Sequence, residues 1–85
     1  MDKRFLDKVL NQIVRETEID YDEGRIYTPF HLSSLSSFHY HHPFPLPPFF
    51  SRFSQHCKWV YGLNDDEIGY VWVKYKDIIK NKIDE

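Results

Sequence analysis

Apolar residues recur at three- and four-residue steps near both ends of the chain, and this spacing predicts amphipathic helices. A helix is expected over residues 2–17, where the repeating positions are Leu6, Val9, Leu10, Ile13 and Thr17. A longer helix is expected over residues 65–83, where they are Ile68, Val71, Trp72, Tyr75, Ile78, Ile79 and Ile83. Each helix has one apolar side that needs cover, so we expect the two to share an interior.

A shorter helix is predicted over residues 52–61, with Ser51 available to cap its start. The side chains expected to face inward are those of Phe53, Cys57, Val60 and Tyr61. Gly62 stands where a left-handed residue commonly ends a helix. Asn64 and Glu67 then have the spacing of a capping box, which starts the next helix. The short connection predicts an αα-hairpin whose apolar side is covered by the first helix.

The segment between the first two predicted helices, residues 18–50, is named the strap here. The β-type residues Ile19, Tyr21, Ile26 and Tyr27 surround a turn-like centre, so a short β-hairpin is expected near residues 19–28. The later part is rich in aromatic residues and proline, which favours an extended polyproline II conformation. We therefore predict a mostly α single domain over residues 1–85, in which an N-terminal amphipathic helix packs on a C-terminal αα-hairpin joined to it by the strap.

Composition narrows the class of function. Eleven basic and 13 acidic side chains give a net charge of -2, which provides no global field for nucleic acid. The single cysteine, Cys57, cannot form an internal disulfide, and this favours a reducing, cytoplasmic location. Charges throughout the N-terminal segment predict no signal peptide. The longest stretch without Asp, Glu, Lys or Arg, residues 26–51, holds all five prolines, so we expect no membrane helix and a soluble protein.

A metal site is the first alternative, because imidazole and thiolate groups are good zinc ligands. The candidate ligands are His39, His41, His42, His56 and Cys57. Their spacing fits no zinc finger or ribbon, and a proline follows His42. We therefore predict no cofactor, with this histidine-rich loop as the alternative.

A helix-turn-helix nucleic-acid binder is the second alternative, because a short helix, a glycine-containing turn and a longer helix have that outline. The start of the last helix, residues 64–67, reads Asn-Asp-Asp-Glu and would repel phosphates.

Cys57 beside His56 suggests a thiol nucleophile, but neighbours on a helix point about 100° apart. The sequence has no phosphate-binding glycine loop or nucleophile elbow, so we expect no enzymatic activity.

Two surfaces are candidates for binding a protein. The first is the segment Phe44, Pro45, Leu46, Pro47 and Pro48, which resembles the aromatic-proline ligands of EVH1-type domains. The interpretation we favour for this segment is that its rings fill the protein's own core. The second contains Tyr70 and Val73, which lie opposite the apolar stripe of the last helix. We predict a non-catalytic protein–protein interaction module, a small accessory or inhibitor-type protein, whose partner is unknown or is a second copy of the chain.

Overall fold

The protein was analysed as a computed structural model, which describes residues 2–30, 38–40, 44–45 and 47–84. Within these ranges the chain forms three helices and one three-stranded antiparallel sheet. In chain order the elements are α1 (Lys3–Arg15), β1 (Glu18–Asp20), β2 (Arg25–Tyr27), β3 (Phe38–His39), α2 (Pro47–Tyr61) and α3 (Asp65–Ile83). Both α1 and α2 pack on α3. The predicted mostly helical class is confirmed.

Helix α1 begins at a side-chain cap and buries one stripe. The Asp2 carboxylate accepts hydrogen bonds from the amides of Arg4 and Phe5, at 3.1 and 3.3 Å, which satisfies two of the free N–H groups of the first turn. The buried side chains are the predicted ones, Leu6, Val9, Leu10 and Ile13. This stripe supplies the N-terminal half of the shared interior.

The predicted hairpin is present as β1 and β2, which pair in antiparallel register. Its turn is closed by Asp20, whose carboxylate accepts the amide of Asp22 at 3.1 Å, and by Gly24, whose φ of +66° few other residues adopt. The sequence did not predict the third strand, β3, in which Phe38 pairs opposite Ile26. Part of the strap is therefore a sheet.

Helix α2 begins at Pro47, whereas the prediction was 52–61. The polyproline II prediction is wrong here, because Pro47 and the proline after it form the first helical turn. Proline fits that turn since its fixed φ suits a helix and its missing N–H would have no partner inside the helix. The earlier start adds Phe49 to the buried stripe of Phe53 and Cys57.

The connection between α2 and α3 follows the predicted stop and restart. Gly62 adopts a φ of +67°, and its amide donates to the Lys58 carbonyl at 3.1 Å, as in the αL motif that ends many helices. The Leu63 amide donates to the Cys57 carbonyl at 3.2 Å, so the Schellman bond pattern suggested by the sequence is not the one formed. Asn64 and Glu67 then form the capping box, with each side chain accepting from the backbone amide of the other at 2.9 and 3.0 Å. These contacts fix where α2 ends and in which direction α3 leaves.

One continuous interior joins the helices and the sheet, and the predicted shared core of α1 and α3 is confirmed. Its buried residues are Leu6, Val9, Leu10, Ile13, Ile26, Phe30, Phe49, Phe53, Cys57, Leu63, Ile68, Val71, Tyr75 and Ile79.

Val60 was expected to face inward, and this is wrong because the side chain is 60% exposed. Its position on the helix suits the stripe, but the described residues provide no element that packs over it in this last turn.

Aromatic rings form the centre of this interior. Phe53 stacks on Tyr75 with 5.1 Å between the ring centroids. Phe30 presents an edge to Phe49 at 5.3 Å and to Phe53 at 5.7 Å. Such tilted and offset contacts are the favoured geometries for aromatic pairs, and each large ring removes much apolar area from water. Through Phe30, the end of the hairpin is held against α2.

Candidate functional site

The side of α2 that faces away from the core carries a large apolar side chain that is mostly uncovered. Trp59 is 78% exposed, and the adjacent Val60 is 60% exposed. Trp59 lies two residues after the buried Cys57, which at about 100° per residue places it on the opposite side of the helix. The fold therefore presents an indole ring to solvent on a regular helix.

A shallow groove of about 120 Å³ lies beside this ring. It is lined by Pro29, Phe30, Arg52, Gln55, His56, Trp59 and Val60, and we call it the Trp59 groove. Along α2, the polar residues Arg52 and Gln55 precede the two exposed apolar residues of the lining, Trp59 and Val60. Phe30 belongs both to the groove and to the buried core, so this wall is held in place by the interior.

The His56 ring forms part of the groove and is half-buried. Its centroid lies 6.0 Å from that of Phe30 and 5.7 Å from that of Tyr61, which meets it edge-on. Burial lowers the pKa of His56, and the carboxylate of Glu16 opposes this effect. The Nε2 atom is buried and has no hydrogen-bond partner within the described part of the chain. A lowered pKa favours the neutral imidazole at pH 7.

Charge is distributed unevenly on α2. The helix contains Arg52 and Lys58 but no Asp or Glu from Pro47 to Tyr61. Lys58 pairs with Asp65 at the start of α3, with 3.2 Å between Nζ and Oδ1. Arg52 makes no salt bridge or side-chain hydrogen bond within residues 2–30, 38–40, 44–45 and 47–84. The Trp59 groove thus includes one cation without an anionic partner among these residues.

The two residues of the predicted Tyr70–Val73 surface differ in exposure and contacts. Val73 is 53% exposed, as expected. Tyr70 is partly buried and already engaged, because its hydroxyl donates to the Asp7 carboxylate at 3.3 Å. The ammonium of Lys74 also lies 4.7 Å from the Tyr70 ring centroid, a cation–π distance, and the proximity of Tyr70 is the chief cause that raises the pKa of Lys74. Tyr70 therefore helps to hold α1 against α3.

The predicted proline-segment site is divided between core and helix. Phe44 is half-buried and packs edge-on against Phe49, with 5.1 Å between ring centroids. Pro45 is also half-buried, whereas Pro47 and Pro48 are exposed in the first turn of α2. Leu46 lies outside the described residues. Phe44 therefore serves the protein's own packing, which is the interpretation favoured from the sequence.

The candidate metal ligands do not come together in the described structure. His39 lies exposed in β3, and His56 lies in the Trp59 groove. Cys57 belongs to the core, where burial raises the pKa of its thiol to about 12. Across the ranges described, no three His, Cys, Asp or Glu side chains are placed to hold a metal ion. His41 and His42 lie outside those ranges.

A second, wider depression of about 430 Å³ lies over the hairpin. It is lined by Glu18, Ile19, Asp20, Tyr21, Asp22 and Tyr27. The carboxylate of Asp20 is already used to close the turn, and the hydroxyl of Tyr21 donates to the Lys82 carbonyl at 2.9 Å. The first bond closes the turn of the hairpin and the second attaches the hairpin to the end of α3, so these polar groups of the depression have structural roles.

Sequence reasoning did not single out Trp59 or the groove beside it. The available signal was an aromatic residue off the buried stripe of α2, two positions from Cys57. That signal places the ring on the outer side but does not show that it stays uncovered, which depends on residues distant in sequence. Pro29 and Phe30, from the strap, supply the opposite wall.

None of the described helices combines the length and the apolar character needed to cross a membrane. Comparison with known proteins identifies no relative, since no protein-family model, curated protein or solved structure matches this chain significantly.

Proposed function

We propose that the protein is a non-catalytic interaction module that binds a protein partner through the Trp59 groove. The observation that carries this proposal is the exposure of Trp59, at 78%, beside the exposed Val60 on a regular helix. Tryptophan is among the residues most enriched at the energetic centres of protein interfaces, because one ring buries a large area with little loss of side-chain freedom. Covering a large apolar side chain of this kind is worth roughly 2–3 kcal/mol.

The position of the ring on α2 supports a binding role further. The inner side of this helix is anchored by Phe49, Phe53 and Cys57, all buried. Its end is fixed by the Gly62 turn and the capping box of α3. A partner that covers Trp59 therefore meets a surface that is already ordered, which reduces the entropic cost of binding.

A binding role without catalysis agrees with the state of the groups around the groove. Cys57 is the adjacent thiol, but it faces the core and stays protonated because burial raises its pKa to about 12. His56 is half-buried against two aromatic rings. A single thiol held in the core also fits action in a reducing compartment such as the cytoplasm.

The chain offers a matched pair of substitutions to test the proposal. Val60 and Val73 are valines with similar exposure, 60% and 53%, in α2 and α3 respectively. Val60→Glu places a charge on the Trp59 groove, and Val73→Glu places the same charge on the surface predicted from the sequence. The full-length wild type and both variants are immobilised, and proteins captured from cells of the source organism are quantified by mass spectrometry. Circular dichroism melting shows that each variant is folded.

We expect Val60→Glu to lose a defined set of captured proteins that Val73→Glu retains. The opposite result would move the binding surface to Val73 and refute the proposal for the groove. Equal capture by all three proteins would also refute it. Sedimentation of the same samples detects self-association, and a dimer that Val60→Glu alone dissociates would identify the partner as a second copy of the chain.

A further inference from the structure

We propose that the Trp59 groove recognises an acidic peptide segment, in which an apolar side chain lies beside a carboxylate that pairs with Arg52. This inference rests on the proposed function and names the chemistry of the partner. Two features support the inference: the charge of Arg52 complements a carboxylate, and the size of the groove matches one apolar side chain.

The charge argument starts from the imbalance on α2. Arg52 lines the groove and is half-buried as a whole residue. No carboxylate pairs with it among the described residues, while the other cation of the helix, Lys58, already has Asp65. A guanidinium presents a planar set of donors that matches a carboxylate in two-point contact. An anionic group on the partner is therefore the complement that this surface lacks.

The net charge of the whole chain, -2, does not oppose such a partner strongly. At physiological ionic strength, charges farther apart than about 8 Å are largely screened. The local charge at the groove therefore decides the contact. Arg52 is the one charged residue in the described lining, and the Glu16 carboxylate lies close enough to act on the neighbouring His56 ring.

The size of the groove indicates what else the partner must carry. Its volume of about 120 Å³ is somewhat below the ~150 Å³ of an apolar cavity that accommodates benzene. The groove therefore accommodates one side chain of the partner and not a helix or a strand. Pro29, Phe30 and Val60 offer that side chain apolar walls, and the Trp59 ring can cover the flanking backbone. A leucine-type residue with an acidic neighbour satisfies both requirements.

The test uses three blocked peptides with the same two leucines and different flanks. They are Ac-Glu-Glu-Leu-Leu-Glu-Glu-NH2 and its versions with Gln or Lys in place of Glu. Each is titrated into the full-length chain, and the indole N–H signals of Trp59 and Trp72 are followed by two-dimensional NMR. We expect the glutamate peptide to shift the Trp59 signal and to bind about three- to tenfold more tightly than the glutamine peptide. The lysine peptide should bind most weakly.

Two substitutions on the same helix separate a specific ion pair from a general effect of charge. Arg52→Gln removes the unpaired cation and should make the glutamate and glutamine peptides bind equally. Lys58→Gln removes an equal charge outside the groove and should preserve their ratio. Because the Arg52 side chain makes no salt bridge within the described residues, Arg52→Gln should keep the wild-type melting temperature.

The outcomes distinguish this inference from the function on which it rests. Equal affinity of the glutamate and glutamine peptides for the wild type would overturn the acidic specificity, and so would a ratio that Arg52→Gln leaves intact. In either case the Val60→Glu and Val73→Glu comparison still decides the proposed function. A Trp59 shift caused by an oligothymidylate, and lost in Arg52→Gln, would assign the cation to nucleic acid and overturn the peptide proposal. No Trp59 shift with any peptide would overturn it as well.

Discussion

A pair of hydroxyl groups inside the contact between α1 and α3 allows a quantitative test of the fold. Tyr75 is fully buried, and its hydroxyl oxygen lies 2.8 Å from Oγ1 of Thr17. Thr17 Oγ1 also donates to the carbonyl of Ile13 at 2.7 Å. A threonine hydroxyl has only one hydrogen, so once it is given to Ile13 the tyrosine must be the donor in the shared bond. Burial also raises the pKa of Tyr75, so the phenol keeps its proton.

Because Tyr75 is the donor and Thr17 the acceptor, removing each hydroxyl should lower the free energy of unfolding by a different amount. Thr17→Val removes the acceptor and leaves the buried Tyr75 O–H without a partner, which should cost about 2–3 kcal/mol of unfolding free energy. Tyr75→Phe removes the donor, while Thr17 keeps its bond to Ile13, so the cost should be about 1 kcal/mol. With both changes no unpaired tyrosine hydroxyl remains, and the double variant should resemble Tyr75→Phe. The double variant should therefore lose about 2–3 kcal/mol less than the sum of the single variants.

Urea denaturation followed by circular dichroism measures the four free energies, provided that the slopes with urea agree among the variants. The expected order of stability is wild type, then Tyr75→Phe and the double variant together, then Thr17→Val. A more severe loss in Tyr75→Phe than in Thr17→Val would refute the donor assignment. Strict additivity would show that the Tyr75 hydroxyl reaches water, which contradicts the packing of α1 on α3.

Three further predictions concern single side chains. Burial lowers the pKa of His56 below its ordinary 6.5, so the unfolded chain binds a proton at this residue at a higher pH than the folded chain does. The free energy of unfolding should therefore fall as the pH drops through and below 6.5, and urea denaturation at several pH values should show a smaller fall for His56→Phe. Cys57, with its pKa raised to about 12, should react with a thiol reagent at pH 8 only when urea unfolds the chain, and rapid labelling of the native protein would contradict its burial. Asn64→Ala removes one half of the capping box and should cost about 1 kcal/mol in urea denaturation, whereas an unchanged midpoint would contradict the cap.

The helices at the two ends of the chain could be predicted because their signals are local. The four buried positions of α1 repeat at helical spacing, and Asn64 with Glu67 marks the start of α3 within four residues. Gly62 was placed correctly for the same reason, since few residues other than glycine adopt a φ of +67°. Such signals need no knowledge of the rest of the fold.

The start of α2 was not predicted because proline has two compatible interpretations. Pro47 and Pro48 suit polyproline II, and they also suit a first helical turn, where no amide donor is required. What decides between them is the burial of Phe49, which contacts Phe30 from the strap and Tyr75 from α3. That contact is distant in sequence, so the local pattern cannot contain it.

The candidate site was missed for a related reason. Helical phase places Trp59 on the outer side of α2, but it also places Val60 near the buried stripe, where the structure leaves it exposed. Burial depends on whether another element lies across from a position, and periodicity does not give that information. The groove exists because Pro29 and Phe30 meet α2 there, and their approach follows from the hairpin and the core.

The central claim is that Trp59 is uncovered in the free protein and available to a partner. Paramagnetic relaxation of the two indole N–H signals by a soluble, uncharged gadolinium chelate tests it directly, with the partly buried Trp72 as an internal reference and Trp59→Phe to assign the signals. We expect the Trp59 signal to relax markedly faster than that of Trp72. Equal relaxation, or a Trp59 signal more protected than that of Trp72, would contradict the account.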